Sequence, residues 1–235
     1  MVFFRSLICN ILFFSTLAIM SVFSVFLLPF PKQIMIKYWH LLAYILSVIS
    51  EYIAGIKVNL TGVENTKKNC IFASRHESLW ETMYLITVID DPIFVLKKEL
   101  INIPFFGAML KKVGSISIDR SQGGAALIKM AKQVNSAIKE GRSVIIFPEG
   151  TRKSPGSKVE IKKGIAMLYR TTKCGVVPVA LNSGKFWPKY GFIRHPGTVQ
   201  VKFLDVIEPG LSIEEFTKLL DTRLNSAMDE INKIA

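Results

Sequence analysis

Histidine and cysteine are scarce in this 235-residue chain, with three of each, and bases outnumber acids. Cys9, Cys70 and Cys174 lie far apart and form no C-x-x-C pair. That excludes a disulfide scaffold, and with the three histidines it leaves no metal-ligand spacing for zinc. The cysteines read as reduced residues of the core or of a membrane segment. There is no G-x-S-x-G to present a nucleophilic serine and no G-x4-G-K-[ST] to cradle a nucleotide. No repeat, low-complexity stretch or obvious linker divides the chain. The longest gap is in charge: from Ser6 to Pro31, 26 positions, there is none.

Half of the residues are hydrophobic and mean hydropathy is +0.35, which excludes disorder. Yet 30 Lys+Arg against 18 Asp+Glu give a net charge of +12. A basic, apolar chain suits nucleic acid or an anionic membrane. The two properties are segregated. The uncharged run exceeds the about 20 apolar residues that span a bilayer. It ends in Leu28-Pro29-Phe30-Pro31, a poor signal-cleavage site, so it reads as a retained anchor. A second apolar segment, Gln33 to Ile53, carries Tyr38, Trp39 and Lys37, residues of a membrane interface. Pro29 and Pro31 break the helix between them. A hairpin dipping into one leaflet and a spanning helix with an interfacial one are both open. Residues 1–54 are thus expected as membrane-anchoring helices and 55–235 as a separate α/β domain. The charge lies elsewhere, with 14 Lys and Arg against five acids from Lys97 to Lys163.

After Gly55, short β-branched runs alternate with helical patterns. Strands are predicted at Lys57–Leu60, Cys70–Ala73, Ile93–Leu96, Ser115–Ile118, Ser143–Phe147, Val176–Leu181 and Val199–Leu204. Leu127, Met130, Ala131, Val134 and Ile138 make an amphipathic helix, with Gly141 as its C-terminal cap. Another helix runs through Ile165 to Tyr169, and a last one opens at Ser212 with Glu215 in capping-box spacing. The alternation predicts an α/β fold, a mostly parallel sheet flanked by helices.

Three strand ends carry a cation and a fourth carries a histidine. His76 follows the strand at 70–73, with Glu81 five residues on. If His76 precedes a helix and Glu81 lies in its first turn, the carboxylate can hold imidazole Nδ1–H and leave Nε2 as a base. The same spacing also occurs as a loop histidine beside a solvated, acidic helix start. His40 and His195 read as structural and turn residues. Phe147-Pro148-Glu149-Gly150-Thr151-Arg152 follows another strand, where open α/β sheets place their sites. Gly150 allows an unusual turn, and Arg152 offers a fork for phosphate. Asp119-Arg120 and Lys97-Lys98 follow two more strands.

On these residues the chain resembles the glycerolipid acyltransferases, above all the bacterial 1-acylglycerol-3-phosphate acyltransferases. Arg75-His76-Glu77-Ser78-Leu79-Trp80-Glu81 matches the family's N-H-x4-D block, and Gly114 to Arg120 its G-x-I-x-I-D-R block. Phe147 to Arg152 is F-P-E-G-T-R unchanged, and Val176 to Leu181 matches its V-P-V run. Lys98-Glu99-Leu100 and Pro104 to Gly107 fit two shorter elements. Glu81 stands where the family has Asp, and Arg75 where it has Asn.

The resemblance implies transfer of a fatty acyl group from a thioester to the sn-2 hydroxyl of 1-acylglycerol 3-phosphate (lysophosphatidic acid), giving phosphatidic acid. It implies His76 as base and Glu81 as its orienting acid, with no serine nucleophile. Lys98, Arg120 and Arg152 are expected on the phosphate, with Gly150 and Thr151 beside them and Glu149 holding the loop or the glycerol. No cofactor or metal is expected, because the donor, an acyl carrier protein or coenzyme A thioester, is a substrate. Membrane lipids are expected partners and nucleic acid is not. The location implied is the bacterial inner membrane, with the catalytic domain facing the cytoplasm. Arg5, Lys32 and Lys37 are too evenly placed to choose a topology by charge. Transfer to another lysophospholipid or a lyso-ornithine lipid is the nearest alternative. A membrane-anchored basic binding protein for lipid or nucleic acid is the other, and it would not need His76.

Overall fold

The computed structural model describes residues 1–66 and 70–234. In chain order its elements are α1 (Val2–Phe23), α2 (Lys32–Ile49, continued by a π turn over Ser50–Ala54), β1 (Ile56–Thr61), β2 (Ile71–Ser74), α3 (Trp80–Val88), β3 (Pro92–Lys97), α4 (Lys98–Ile101), α5 (Phe106–Val113), β4 (Ile116–Ile118), α6 (Gly123–Lys139), β5 (Ser143–Ile146), α7 (Lys163–Thr172), β6 (Val176–Leu181), β7 (Gly197–Phe203) and α8 (Ile213–Ile234). The seven expected strands are all there, with ends within two residues. Ser212 and Glu215 exchange the two bonds of a capping box at the start of α8.

The strands form one sheet in the order β1-β7-β6-β2-β5-β3-β4. Every neighbouring pair is parallel except β6 with β7. The inner strands are buried on both faces, which is why they read as unbroken apolar runs rather than alternating ones. Alternation decides the face. Phe72, Ile145, Val177 and Val179 join one hydrophobic cluster, while Ile71, Val144, Val176 and Ala180 join the other. Helices α6, α7 and α8 cover the second face.

The first face is covered by α2, α3 and α5, with α1 lying beyond. Met35, Trp39, Leu42, Ala43 and Leu46 form the buried stripe of α2, at three- and four-residue steps. They share a cluster with the sheet, so the expected boundary at 54/55 separates helix from strand but not one core from another. Gly55 makes that turn in the left-handed region at φ 75°.

Helix α1 is patterned inside out. Its outward side chains include Phe3, Phe4, Ile11, Phe14 and Phe23, all exposed, while Ser6 and Asn10 are buried. The buried polar pair binds a strap at 191–194. Arg194 N–H donates to Ser6 Oγ (2.8 Å), Arg194 Nε donates to Asn10 Oδ1 (2.9 Å), and Asn10 Nδ2 donates to the Phe192 carbonyl (2.8 Å). The Arg194 guanidinium also lies 4.1 Å from the centre of the Trp187 ring. Asn10→Leu is therefore expected to lower stability by about 1–3 kcal/mol, because a buried cation loses its acceptor. A Tm in detergent checks this. A free-standing membrane helix would instead gain from the extra hydrophobicity.

Not every cation is available to a ligand. Arg142 makes a two-pronged pair with Asp91 (2.6 and 2.8 Å) and donates to the Val113 carbonyl (2.7 Å). It staples the N-terminal end of β5 to the starts of β3 and β4, away from the strand ends that carry His76 and Arg152.

Candidate active site

Strands β4, β3, β5 and β2 are adjacent and parallel, so their C-terminal ends open on one edge of the sheet. Four of the sequence blocks leave from that edge, which is the crevice position of an open α/β sheet. Beyond β2, residues 75–79 loop before α3 begins at Trp80, so His76 precedes the helix and Glu81 sits in its first turn. This backbone route makes a five-residue offset workable. His76 Nδ1 lies 2.8 Å from Glu81 Oε1. Since the partner is a carboxylate, Nδ1 carries the proton and Nε2 is left as the base. The imidazole stacks on Phe147 with ring centres 3.9 Å apart, which fixes its plane.

Glu81 is wholly buried but well satisfied. Its Oε1 also accepts the backbone N–H of Glu77 (2.9 Å) and Ser78 (2.9 Å). Its Oε2 accepts the Ser183 hydroxyl (2.6 Å) and a short bond from the Ser78 hydroxyl. Burial alone would raise its pKa, but the bonds from His76, Ser183 and Ser78 and the charge of the imidazole outweigh this and hold it below the usual carboxylate value. The helix N-terminus adds to the same effect. Ser78 and Ser183 went unread in the sequence. Ser183 lies 102 residues from Glu81, so only the fold joins them.

The turn after β5 places the F-P-E-G-T-R block opposite. Gly150 adopts φ 69°, and the Arg120 guanidinium packs over the face where a side chain would project, Nη2 lying 3.4 Å from an ideal Cβ. Glycine is favoured there by the left-handed conformation, while the Arg120 guanidinium would only be in ordinary contact with an added Cβ. Glu149 is buried, and its carboxylate is taken up by bonds from the protein. Its Oε1 takes a 2.5 Å bond from Arg75, and its Oε2 accepts His76 N–H at 3.2 Å. Of the two expectations for Glu149, loop-holding is the one its bonds fit. Burial pushes its pKa up to about 7 despite the attraction of Arg75.

A cavity of about 830 Å³ lies between these loops, within the range of small-molecule sites. His76, Gly150, Thr151, Arg152 and Arg120 all line it. Its deeper wall is apolar, built by Trp39 of α2, Met83 of α3, Phe94 and Leu96 of β3, Phe106 and Leu110 of α5, and Met130 of α6. Lys97, Lys162 and Lys189 complete its set of cations. Lys98 is not among the lining residues and pairs with Asp119 (3.1 Å), whose carboxyl is held down to about 2 by bonds from Ser121 and then Lys98. As β3 ends, the chain bends into α4 and neighbouring side chains diverge, so Lys97 takes the inward place. Lys189, on the segment after β6, donates to the Arg152 carbonyl (3.0 Å) and is a cavity cation that no sequence signal marked. Among the described residues, no group of three or more His, Cys, Asp or Glu stands together to hold a metal.

A buried carboxylate, an imidazole bonded to it and cations around a largely apolar cavity thus stand together at one edge of the sheet. The Acyltransferase family model matches residues 57–182. A 1-acyl-sn-glycerol-3-phosphate acyltransferase of Pseudomonas aeruginosa is 37% identical over 195 residues, covering 79% of this chain and 74% of its own. One of Limnanthes douglasii is 30% identical over 91% of this chain and 75% of its own. The chain belongs to this acyltransferase family. In fold it matches the 1-acyl-sn-glycerophosphate (LPA) acyltransferase of Thermotoga maritima, with a TM-score of 0.82 over 99% of this chain and 98% of that one at 21% identity.

Proposed function

We propose that this acyltransferase moves a fatty acyl group from an acyl carrier protein or coenzyme A thioester to the sn-2 hydroxyl of 1-acyl-sn-glycerol 3-phosphate. The observation that carries the reading is the His76–Glu81 pair beside a cavity lined by both cations and a large set of apolar side chains. His76 Nε2 takes the proton of the hydroxyl as its oxygen attacks the thioester carbonyl. The tetrahedral intermediate collapses, the C–S bond breaks, and the imidazolium returns the proton to the departing thiolate. Glu81 holds the imidazole and stabilises its charged form, as the acid of a triad does. Arg152, Arg120 and Lys97 attract the phosphate, and the apolar wall takes an acyl chain.

Two helices are long and apolar enough to cross a membrane by length and composition, Val2–Leu27 and Lys32–Ala54. Their packing favours lying on one leaflet instead. A spanning α1 would have to carry the 191–194 strap with it, against the bonds of Ser6 and Asn10. The exposed aromatic face of α1 then meets lipid, and the cavity draws its lysolipid from that surface. The bacterial inner membrane, with the α/β body on the cytoplasmic side where acyl carriers reside, fits this arrangement.

The direct test is an assay of purified membranes against a panel of lysolipids with both carriers. Transfer to 1-acylglycerol 3-phosphate above the other acceptors is expected, and no transfer to any acceptor overturns the reading. Arg152→Ala is expected to raise the KM for the lysolipid about 10–100-fold, the worth of a hydrogen bond to a charged group, with kcat little changed. A KM rise confined to the thioester would reassign Arg152 to the donor's phosphates.

A further inference from the structure

We propose that Arg75 is a positioning residue of the transfer reaction, one buried guanidinium that fastens the His76 segment to the 147–152 turn and to the loop beyond it. The proposal rests on the acyltransferase reading above. Arg75 is fully buried at the end of β2 and does not line the cavity. All three of its guanidinium nitrogens are engaged. Nε donates to Glu77 Oε1 (3.2 Å) and Nη1 to Glu149 Oε1 (2.5 Å). Nη2 donates to the carbonyls of Ser154 (3.2 Å) and Ser157 (2.9 Å) and to Ser157 Oγ (2.8 Å).

The groups it holds pass the constraint on. Glu149 bonds the backbone of His76, and Lys153 N–H donates to the His76 carbonyl at 2.8 Å, so the base and the arginine-bearing turn are tied twice. Glu77 Oε2 accepts the N–H of Gly184, next to the Ser183 that holds Glu81. The loops after β2 and β5 thereby meet on the Arg75 side chain, and the loop after β6 joins them through Glu77. An Asn at this place, as in the family pattern, is too short to reach Glu149 and the 154–157 carbonyls together. A Lys carries the charge but lacks the planar fork.

Charge makes the role measurable. Around Arg75 stand Glu77, Glu81, Glu149 and His76, with Lys153 and Glu160 acting on Glu149 from the following loop. Burial pushes Glu77 and Glu149 up to about 7, and the Arg75 charge pulls both down. Without that charge both carboxyls stay protonated to higher pH, Glu149 is neutral at pH 7, and its hold on the His76 backbone weakens. The acid limb of activity therefore moves up when Arg75 is neutralised.

The experiment measures kcat, both KM values, Tm and the pH profile in membranes holding wild type, Arg75→Met and Arg75→Lys, with 1-acylglycerol 3-phosphate and an acyl thioester. Arg75→Met is expected to lose about 100-fold in kcat through misplacement of the base, with its acid limb raised by about 1–3 pH units. Arg75→Lys is expected to keep the wild-type acid limb yet lose about 10-fold or more in kcat, having lost the fork. A merely structural Arg75 would lower Tm and the amount of folded enzyme without moving the acid limb. Folded Arg75→Met with an unmoved limb overturns the proposal. So does Arg75→Lys with wild-type kcat, which decides the matter even if Arg75→Met fails to accumulate. Inactive wild type would instead remove the parent reading, so the two failures are distinct.

Discussion

His76→Ala is expected to lower kcat by about 10²–10⁴-fold, the usual contribution of a positioned general base, while leaving the KM for the lysolipid close to that of wild type. The histidine side chain is 17% exposed and its one strong side-chain bond is to Glu81, so the change deletes chemistry more than packing. The variant should remain folded and in the membrane fraction, with a Tm near that of wild type. Membrane-bound, folded His76→Ala with normal turnover would sink the assignment of the base.

Glu81→Gln is expected to cost more, on the scale of the about 10⁴-fold loss that follows when the acid of a triad becomes an amide. The amide oxygen can still accept one bond. Its NH₂ group, however, must face donors: either Nδ1–H of His76 with the N–H groups of Glu77 and Ser78, or the hydroxyls of Ser78 and Ser183. Turning the imidazole to its other tautomer relieves one clash and leaves Nε2 protonated, unable to act as base. A loss of stability should accompany the loss of rate, because buried donors go unpaired. Glu81→Asp separates length from charge. It restores the family's usual residue and keeps the anion, but it withdraws the carboxylate by one methylene from five fixed donors. A fall of about 10²-fold in kcat is expected from displacement of the base. Wild-type activity in Glu81→Asp would mean that loop 75–79 follows the shorter side chain inward.

The strands and the main helices were legible in the sequence because their signals are local. β2 and β6 lie inside the sheet and are apolar on both faces, so they stand out as unbroken runs. The His76–Glu81 contact was open to a sequence reading because both residues share one loop and one helix turn, but it was the family motif, more than the spacing, that singled them out. Lys97 and Lys98 carry the same local signal, and only the bend from β3 into α4 decides that Lys97 is the one in the cavity lining. Ser183, Lys189 and the Ser154 and Ser157 that hold Arg75 left no local trace. Each acts across 37 to 102 residues of chain through contacts that the fold creates. The polar residues of α1 were visible as Ser6 and Asn10 in an uncharged run, but their purpose was not, because their partner strap lies more than 180 residues away.

The sequence by itself determined the class of chemistry, the apolar N-terminal pair and the order of strands and helices, since periodicity and short motifs depend on near neighbours alone. The tertiary structure decided which cations line the cavity, that Glu149 bonds Arg75 and the His76 backbone, that α1 is strapped to the body, and that Arg75 ties the loop after β2 to the loop after β5. Those outcomes depend on which strands lie side by side. Hydrogen-bonded pairing across the sheet sets that, and no local window of sequence contains both partners.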